Sequence, residues 1–156
     1  MNDQIELLSA TEYSIIEEAL WKLVRQYPRQ VGDPDVKAEY DALGTNKSLA
    51  VFVLGGRYKS RNVLGGFTAE INFRVAYKSQ PQSSDQRIDR QAYVGRIMRW
   101  LENTRDLPIL TDGRKITKIT ASGAVPYKDE TGQDKSTVYA ADAVMEYKKK
   151  GKNLLT

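Results

Sequence analysis

The sequence predicts an α+β fold in which a single antiparallel β-sheet of about four strands packs two helices against one of its faces. Two segments repeat apolar residues at helical spacing, and four others show strand patterns. Their order along the chain is helix, strand, strand, helix, strand, strand (α-β-β-α-β-β). The 156 residues are enough for one hydrophobic core and too few for two comfortable ones, so residues 1–147 are predicted to form a single domain.

The first helix is predicted over residues 9–26. Ser9 and Glu12 have the spacing of a capping box at its start, and the residue before Pro28 avoids the α region at its end. Its apolar face is expected to consist of Ile15, Ile16, Ala19, Leu20, Leu23 and Val24. Residues 28–47 then form a long connection, in which a short helical turn fits residues 35–42.

The next two strands are predicted at residues 48–54 and 67–77. The first is a continuous apolar run, typical of a strand buried on both faces, and the second alternates apolar and polar residues. Between them, residues 55–66 are bracketed by two Gly-Gly pairs and carry Arg57, Lys59 and Arg61. We expect a long antiparallel hairpin in which residues 55–66 form a loop at the tip.

The second half of the chain repeats the helix–strand–strand plan. The N-cap candidates Ser83, Ser84 and Asp85 open a helix that runs to about Thr104. Its apolar face is expected to contain Ile88, Ala92, Tyr93, Ile97, Trp100 and Leu101. A strand at 114–122, a polar turn at 128–135 and a last strand at 136–147 follow. The last segment is rich in alanine, but its position after a turn and its Val and Tyr residues favour a strand over a helix.

The composition argues against catalysis, because cysteine and histidine are both absent. Their absence removes disulfides, thiolate ligands, the usual zinc ligand sets and the imidazole base that works near pH 7. We therefore expect no enzyme activity, no cofactor and no bound metal. The composition instead favours a binding or structural protein.

The positive charge of the chain is concentrated at its carboxyl end. Lys and Arg number 24 against 20 Asp and Glu, and four lysines lie in the last nine residues: Lys148, Lys149, Lys150 and Lys152. Without these four, the body is formally neutral. Residues 148–156 are predicted to be a basic arm, which is either a solvated terminus or an arm that docks on an acidic partner or on DNA phosphates.

Two patterns carry weaker chemical hypotheses. The glycines at 55–56 with the cations that follow have some features of a phosphate loop, but the GxxxxGK[ST] pattern and a following helix are missing. Asp142, Glu146 and Lys148, with Glu70, fit the carboxylate-and-lysine pattern of metal-dependent nucleases. Such triplets arise often by chance in a sequence this charged.

A nucleic-acid-binding module is the alternative function. The second predicted helix carries four arginines that could grip phosphates together with the basic arm: Arg87, Arg90, Arg96 and Arg99. Asp85 and Asp89 lie within one turn of the first two, so surface pairing explains part of this pattern.

Targeting signals are not evident in the sequence. The first ten residues lack a basic region followed by an apolar run, and no stretch approaches the roughly 18 apolar residues of a membrane span. We therefore expect no membrane partner, and a chain that is used or assembled in a cytoplasm.

Residues 66–150 resemble the tail-terminator and tail-completion (minor capsid) proteins of long-tailed bacteriophages and phage-tail-like particles. The resemblance lies in the order of parts. An alternating strand ends in F-x-V-x-Y-K (73–78), a helix ends in W-L-E-N (100–103), L-P-x-L (107–110) opens a strand, and M-E-Y-K (145–148) ends the last one. It covers a little over half of the chain, and residues 28–66 contribute no matching motif.

The resemblance implies a structural virion protein that is assembled in the bacterial host cytoplasm and located in the tail or neck. Such proteins form a six-membered ring on the head-proximal end of the tail tube, stop its polymerisation and provide the surface on which the head connector docks. The implied partners are further copies of the chain, the tail tube protein, the neck proteins and DNA that passes through the lumen. We expect the contacts to involve Arg57, Tyr58, Lys59, Arg61, Lys148, Lys149, Lys150 and Lys152.

Overall fold

A computed structural model describes residues 6–30, 37–40, 48–79, 83–105, 107–121, 127–131 and 136–151 of the chain. The first half contains helix α1 (Ala10–Gln30) and strands β1 (Lys37–Tyr40), β2 (Ser48–Arg61) and β3 (Phe67–Ser79). The second half contains helix α2 (Ser84–Asn103) and strands β4 (Arg114–Ala121), β5 (Tyr127–Thr131) and β6 (Ser136–Lys149). The predicted α+β class is confirmed, and so is the order of the two helices and the four main strands.

One sheet contains all six described strands, in the order β1-β2-β3-β6-β4, with β5 also paired to β6. The pairs β2–β3, β3–β6 and β4–β6 are antiparallel, as predicted. Two short strands were not predicted. β1 replaces the helical turn expected at 35–42 and pairs parallel with β2, and β5 occupies the first half of the turn expected at 128–135. The rest of that turn, 132–135, and residues 31–36 and 41–47 lie outside the described part of the chain.

The hairpin of β2 and β3 is longer than expected, and this corrects the predicted loop at 55–66. β2 continues to Arg61, so only residues 62–66 form the turn. The Gly-Gly pair and the cations made 55–61 resemble a loop, but these residues pair with β3 across two bulges, one after Val53 and one after Tyr58. A bulge inserts one extra residue and increases the twist of a strand, which hides the alternation from a sequence pattern.

Both helices cover the same face of the sheet, as predicted. Alternate residues of β3 and β6 are buried beneath them, from Phe67 to Tyr77 and from Tyr139 to Tyr147. The helices meet where the Tyr27 ring lies edge-on to Tyr93, with ring centroids 5.5 Å apart. One continuous core results, and the opposite face of the sheet, which we call the open face, has no described helix against it.

Each helix differs from its prediction at one point. α1 continues through Pro28 to Gln30: the proline removes one backbone hydrogen bond, and Tyr27, buried in the core, anchors this end of the helix. In α2 the buried stripe contains Val94 and Met98, whereas Ile88 is 68% exposed. The first two turns of α2 are largely exposed, so the apolar face begins later than the sequence suggested.

Candidate assembly surface

The cations predicted at 57 and 59 lie on the open face, where each is held by a carboxylate. Arg57 Nε lies 2.6 Å from Glu70 Oε1 on β3, and Lys59 Nζ lies 2.7 Å from Glu146 Oε2 on β6. The hydrogen bond with Glu146 raises the pKa of Lys59, and the same bond lowers the pKa of Glu146. These two cations therefore form fixed charges on a strand rather than parts of a flexible loop.

A third ion pair continues the row. Arg74 donates from Nε and Nη2 to the two carboxylate oxygens of Asp142, at 2.7 and 3.2 Å. We call these three pairs (Arg57–Glu70, Lys59–Glu146 and Arg74–Asp142) the charged ladder. It contains every carboxylate of the predicted nuclease-like site, and each of them faces a cation. Among the described residues, no group of three acidic side chains is placed to hold a metal ion.

Tyr58 and Arg61 have a different environment from their neighbours on β2. The Tyr58 ring packs edge-on against Phe67 on the helix side of the sheet, with centroids 5.0 Å apart. Arg61 lies over the Tyr58 ring and pairs with Glu6. The backbone of Glu6 also accepts a hydrogen bond from Tyr58 N at 3.0 Å, so these residues fasten the amino-terminal segment to β2.

The predicted basic arm begins inside the sheet. β6 runs to Lys149, two residues beyond the predicted end of the strand, and Lys150 N donates to Gly113 O at 3.4 Å. Lys148 is exposed and lies directly opposite Lys115 on β4. We call Lys115, Lys148 and Lys150 the basic end; among the ion pairs formed by described residues, none includes any of the three. Lys152 lies outside the described residues.

A buried ionic cluster was missed by the sequence reasoning. Arg114 donates from Nε and Nη2 to the Glu12 carboxylate at 2.8 and 2.6 Å, and Tyr147 Oη donates to the same carboxylate at 3.0 Å. Burial alone would raise the pKa of Glu12, but the hydrogen bonds from Arg114 and Tyr147 outweigh it and leave the pKa below its ordinary value. Burial, and then the Glu12 charge, raise the pKa of Tyr147.

The sequence pattern around Glu12 indicates a helix cap rather than a buried ion pair. Glu12 stands three residues after Ser9, as the acidic residue of a capping box does. Its backbone N–H donates to Ser9 Oγ at 3.3 Å. Its side chain, however, turns into the core to meet Arg114. Arg114 is the first residue of β4. It lies two positions before Ile116, so its side chain is on the same buried face of the strand. Pairing a helix position with a strand position 102 residues away requires the tertiary structure.

The α2 arginines are spread over an exposed surface and are partly neutralised. Arg90 Nη1 pairs with Asp89 at 2.8 Å and its Nε donates to Ser79 Oγ at 3.2 Å. Arg96 lies 3.9 Å from the same aspartate and over the Tyr93 ring. These contacts agree with the surface pairing expected from the sequence. The remaining two arginines of the set, Arg87 and Arg99, are exposed.

The glycines of the hairpin are explained by packing and turn geometry. A Cβ on Gly56 would lie 2.6 Å from Leu8 Cδ1 and 3.1 Å from Glu70 O, and Gly65 has a φ of +86°. Gly66 packs against the backbone of Gly151. These positions do not form a phosphate cradle, because they lie in a strand and a tight turn rather than before a helix.

The comparisons with known proteins concern the fold. No family model matches the sequence, and no curated protein matches it either. Among solved structures, the chain is similar to a chain from the virion of a native gene transfer agent particle, with a TM-score of 0.57 and 12% sequence identity. The similarity covers 90% of this chain and 99% of that one. No helix in the described part of the chain has the length and apolar character needed to cross a membrane. The chain therefore shares the overall fold of a virion component along nearly its whole length.

Proposed function

We propose that this chain is a structural protein of a phage or phage-like particle, and that it acts as a tail terminator. In this role it forms a six-membered ring on the head-proximal end of the tail tube. The ring ends polymerisation and offers a surface to the head connector. The observation that carries the proposal is the fold shared with a gene transfer agent virion chain over 90% of this chain and 99% of that one. The resemblance of residues 66–150 to tail-terminator proteins supports the same role.

The surface of the chain suits assembly. One face of the sheet is covered by helices, while the open face presents the charged ladder in a fixed geometry. Each of its three cations is matched by a carboxylate, so the ladder has little net charge. Fixed charges of this kind can pair with those of a neighbouring protein, while their balance leaves little attraction for DNA phosphates.

Arrest of tube growth tests the proposal. Purified tail tube protein is polymerised with and without the chain, and tube length and tube ends are recorded by negative-stain microscopy. We expect shorter tubes with a ring on one end. Tubes of unchanged length with bare ends would overturn the terminator role.

A nucleic-acid-binding module remains the second candidate, favoured by the basic end. Lys115 and Lys148 are exposed like charges on neighbouring strands, and phosphates would relieve their repulsion. This function predicts DNA affinity that falls steeply as salt rises. Absence of binding at about 50 mM salt, where phosphate contacts are strong, would remove it.

A further inference from the structure

We propose that the ring forms by a head-to-tail contact in which the hairpin turn of one copy fills a groove on the next. The turn, residues 62–66, is called the tip turn. The groove lies between α1 and the segment at 108–111 and is called the side groove. This inference rests on the proposed function for the closure of the ring. Its new content is the identity of the two surfaces that meet.

The tip turn is held in one conformation by its own hydrogen bonds. The Asn62 side-chain oxygen accepts from Leu64 N at 3.0 Å and from Gly66 N at 2.9 Å. Asn62 N donates to Gly66 O at 2.9 Å, and Gly66 rests on Gly151 after β6. The turn is therefore built before any partner arrives, which reduces the entropy lost on binding.

An apolar side chain stands at the apex of this ordered turn. Val63 is 101% exposed, and Leu64 beside it is 39% exposed. Burying a valine of this kind against a partner stabilises a complex, because its apolar surface leaves water. A rigid turn with an apolar apex is suited to enter a recess on a protein. The phosphates of a nucleic acid provide no apolar surface against which Val63 could be buried.

The side groove has the size and lining for such a side chain. Its volume is about 220 Å³, below the roughly 300 Å³ at which small-molecule sites begin. Its apolar walls include Ile15, Ala19 and Leu110, and Ile109 stands at its edge with 98% of its surface exposed. The groove is therefore matched to one or two apolar side chains of another protein.

The charges around the two surfaces do not oppose a contact. The tip turn is adjacent to the basic end, since Gly151 touches Gly66 and follows Lys150. The charged residues that line the groove are Glu18 and Lys22, which pair at 2.9 Å, so the lining carries no net charge. Docking would therefore place the lysines near a balanced ion pair, so the apolar contact between Val63 and the groove, rather than charge, would drive it.

The occupant of the groove is therefore a second copy of this chain. The tip turn and the side groove are different surfaces, so each copy offers one and accepts the other. Such a heterologous contact generates a ring when its rotation closes.

Cysteine cross-linking tests the contact directly, because the chain has no cysteine of its own. Val63→Cys protein is mixed with Ile109→Cys protein and treated with a short thiol cross-linker, alone and on tail tubes. We expect mixed dimers to dominate, and we expect the double variant V63C/I109C to give a ladder of larger oligomers. The matched control is Ile88→Cys, which is also exposed but lies on α2. Cross-linking of V63C to I109C no stronger than to I88C, in solution and on tubes, would overturn the proposal.

Charge substitutions separate this inference from the proposed function. Val63→Asp and Ile109→Asp each block one half of the contact, so neither variant should form rings. Their mixture should stop at a one-to-one dimer in native mass spectrometry. If V63D self-assembles normally but fails to cap tubes, the tip turn binds the tube and the inference is wrong, while the terminator role stands. If wild-type chain arrests no tube growth, the terminator role fails whatever the cross-linking shows.

Discussion

At the scale of single residues, the buried cluster of Glu12, Arg114 and Tyr147 joins three elements. It ties the first turn of α1 to β4 and β6, at the end of the sheet that also carries the tip turn and the basic end. The Glu12 and Arg114 side chains are 7% and 5% exposed. Since a buried charge without its partner is costly, the cluster fixes where α1 begins relative to the sheet.

Removing one member of this pair should destabilise the protein strongly. Arg114→Met leaves Glu12 buried and unpaired, and we expect a loss of about 3–5 kcal/mol in the free energy of unfolding. The double variant E12M/R114M should lose much less, because no charge remains buried. Urea denaturation of both variants measures this, with the exposed Glu18→Gln as control. Equal losses in the single and double variants would show that packing, rather than the ion pair, accounts for the lost free energy of unfolding.

The same pair predicts an acid-sensitive fold. The pKa of Glu12 is lowered from 4.5 in the folded state, so its stabilisation is complete above that pH and is lost as pH falls towards the folded value. We expect the unfolding free energy of wild type to drop below pH 4.5 more steeply than that of E12M/R114M. Urea titrations from pH 7 to pH 3 test this, and parallel curves would contradict it.

At the scale of elements, regular periodicity was recognised and interrupted periodicity was not. β3 alternates without a break and was predicted almost to the residue, and α2 begins at the N-cap candidate Ser83. β2 was cut short because two bulges shift its phase, at Leu54 and near Lys59. β1 and β5 are four and five residues long and obtain their stability from pairing with longer strands, so no local pattern marks them.

The two adjacent glycines of β2 should respond differently to alanine. A Cβ at position 56 meets Leu8 and the Glu70 carbonyl, whereas a Cβ at position 55 meets nothing within 4 Å. Gly56→Ala should cost about 1–3 kcal/mol by overpacking, while Gly55→Ala should be neutral or stabilise by up to about 1 kcal/mol. Thermal denaturation of the pair decides the matter, and similar melting temperatures would contradict the close packing of Leu8 on β2.

At the scale of the whole molecule, the candidate surface was only partly accessible to sequence reasoning. Arg57, Lys59 and Lys148 were selected for their charge, and the structure places all three on the open face or at its end. Tyr58 was selected with them but packs towards the helix side. The charged ladder, the tip turn and the side groove depend on contacts between residues tens of positions apart, which composition and spacing do not contain.

The charged ladder should matter for assembly and little for folding. In its pairs with Arg57 and Lys59 the cations are exposed and the carboxylates are half-buried, and ion pairs at the surface contribute little to stability. The double variant Arg57→Ala/Lys59→Ala should therefore keep the wild-type melting temperature and lose the ability to arrest tube growth. Asp89→Ala, which breaks an exposed pair on α2, serves as the matched control and should arrest growth normally. Normal arrest by the double variant would exclude the open face from the contact.

The central claim is that the chain caps one end of a tail tube as a ring. Cryo-electron microscopy of tail tubes incubated with purified wild-type chain tests this most directly, because the averages show both the location and the symmetry of the added density. We expect a six-fold ring on a single end of each tube, with the tip turn of each copy contacting its neighbour. Bare tube ends, or density spread along the tube wall, would contradict the claim.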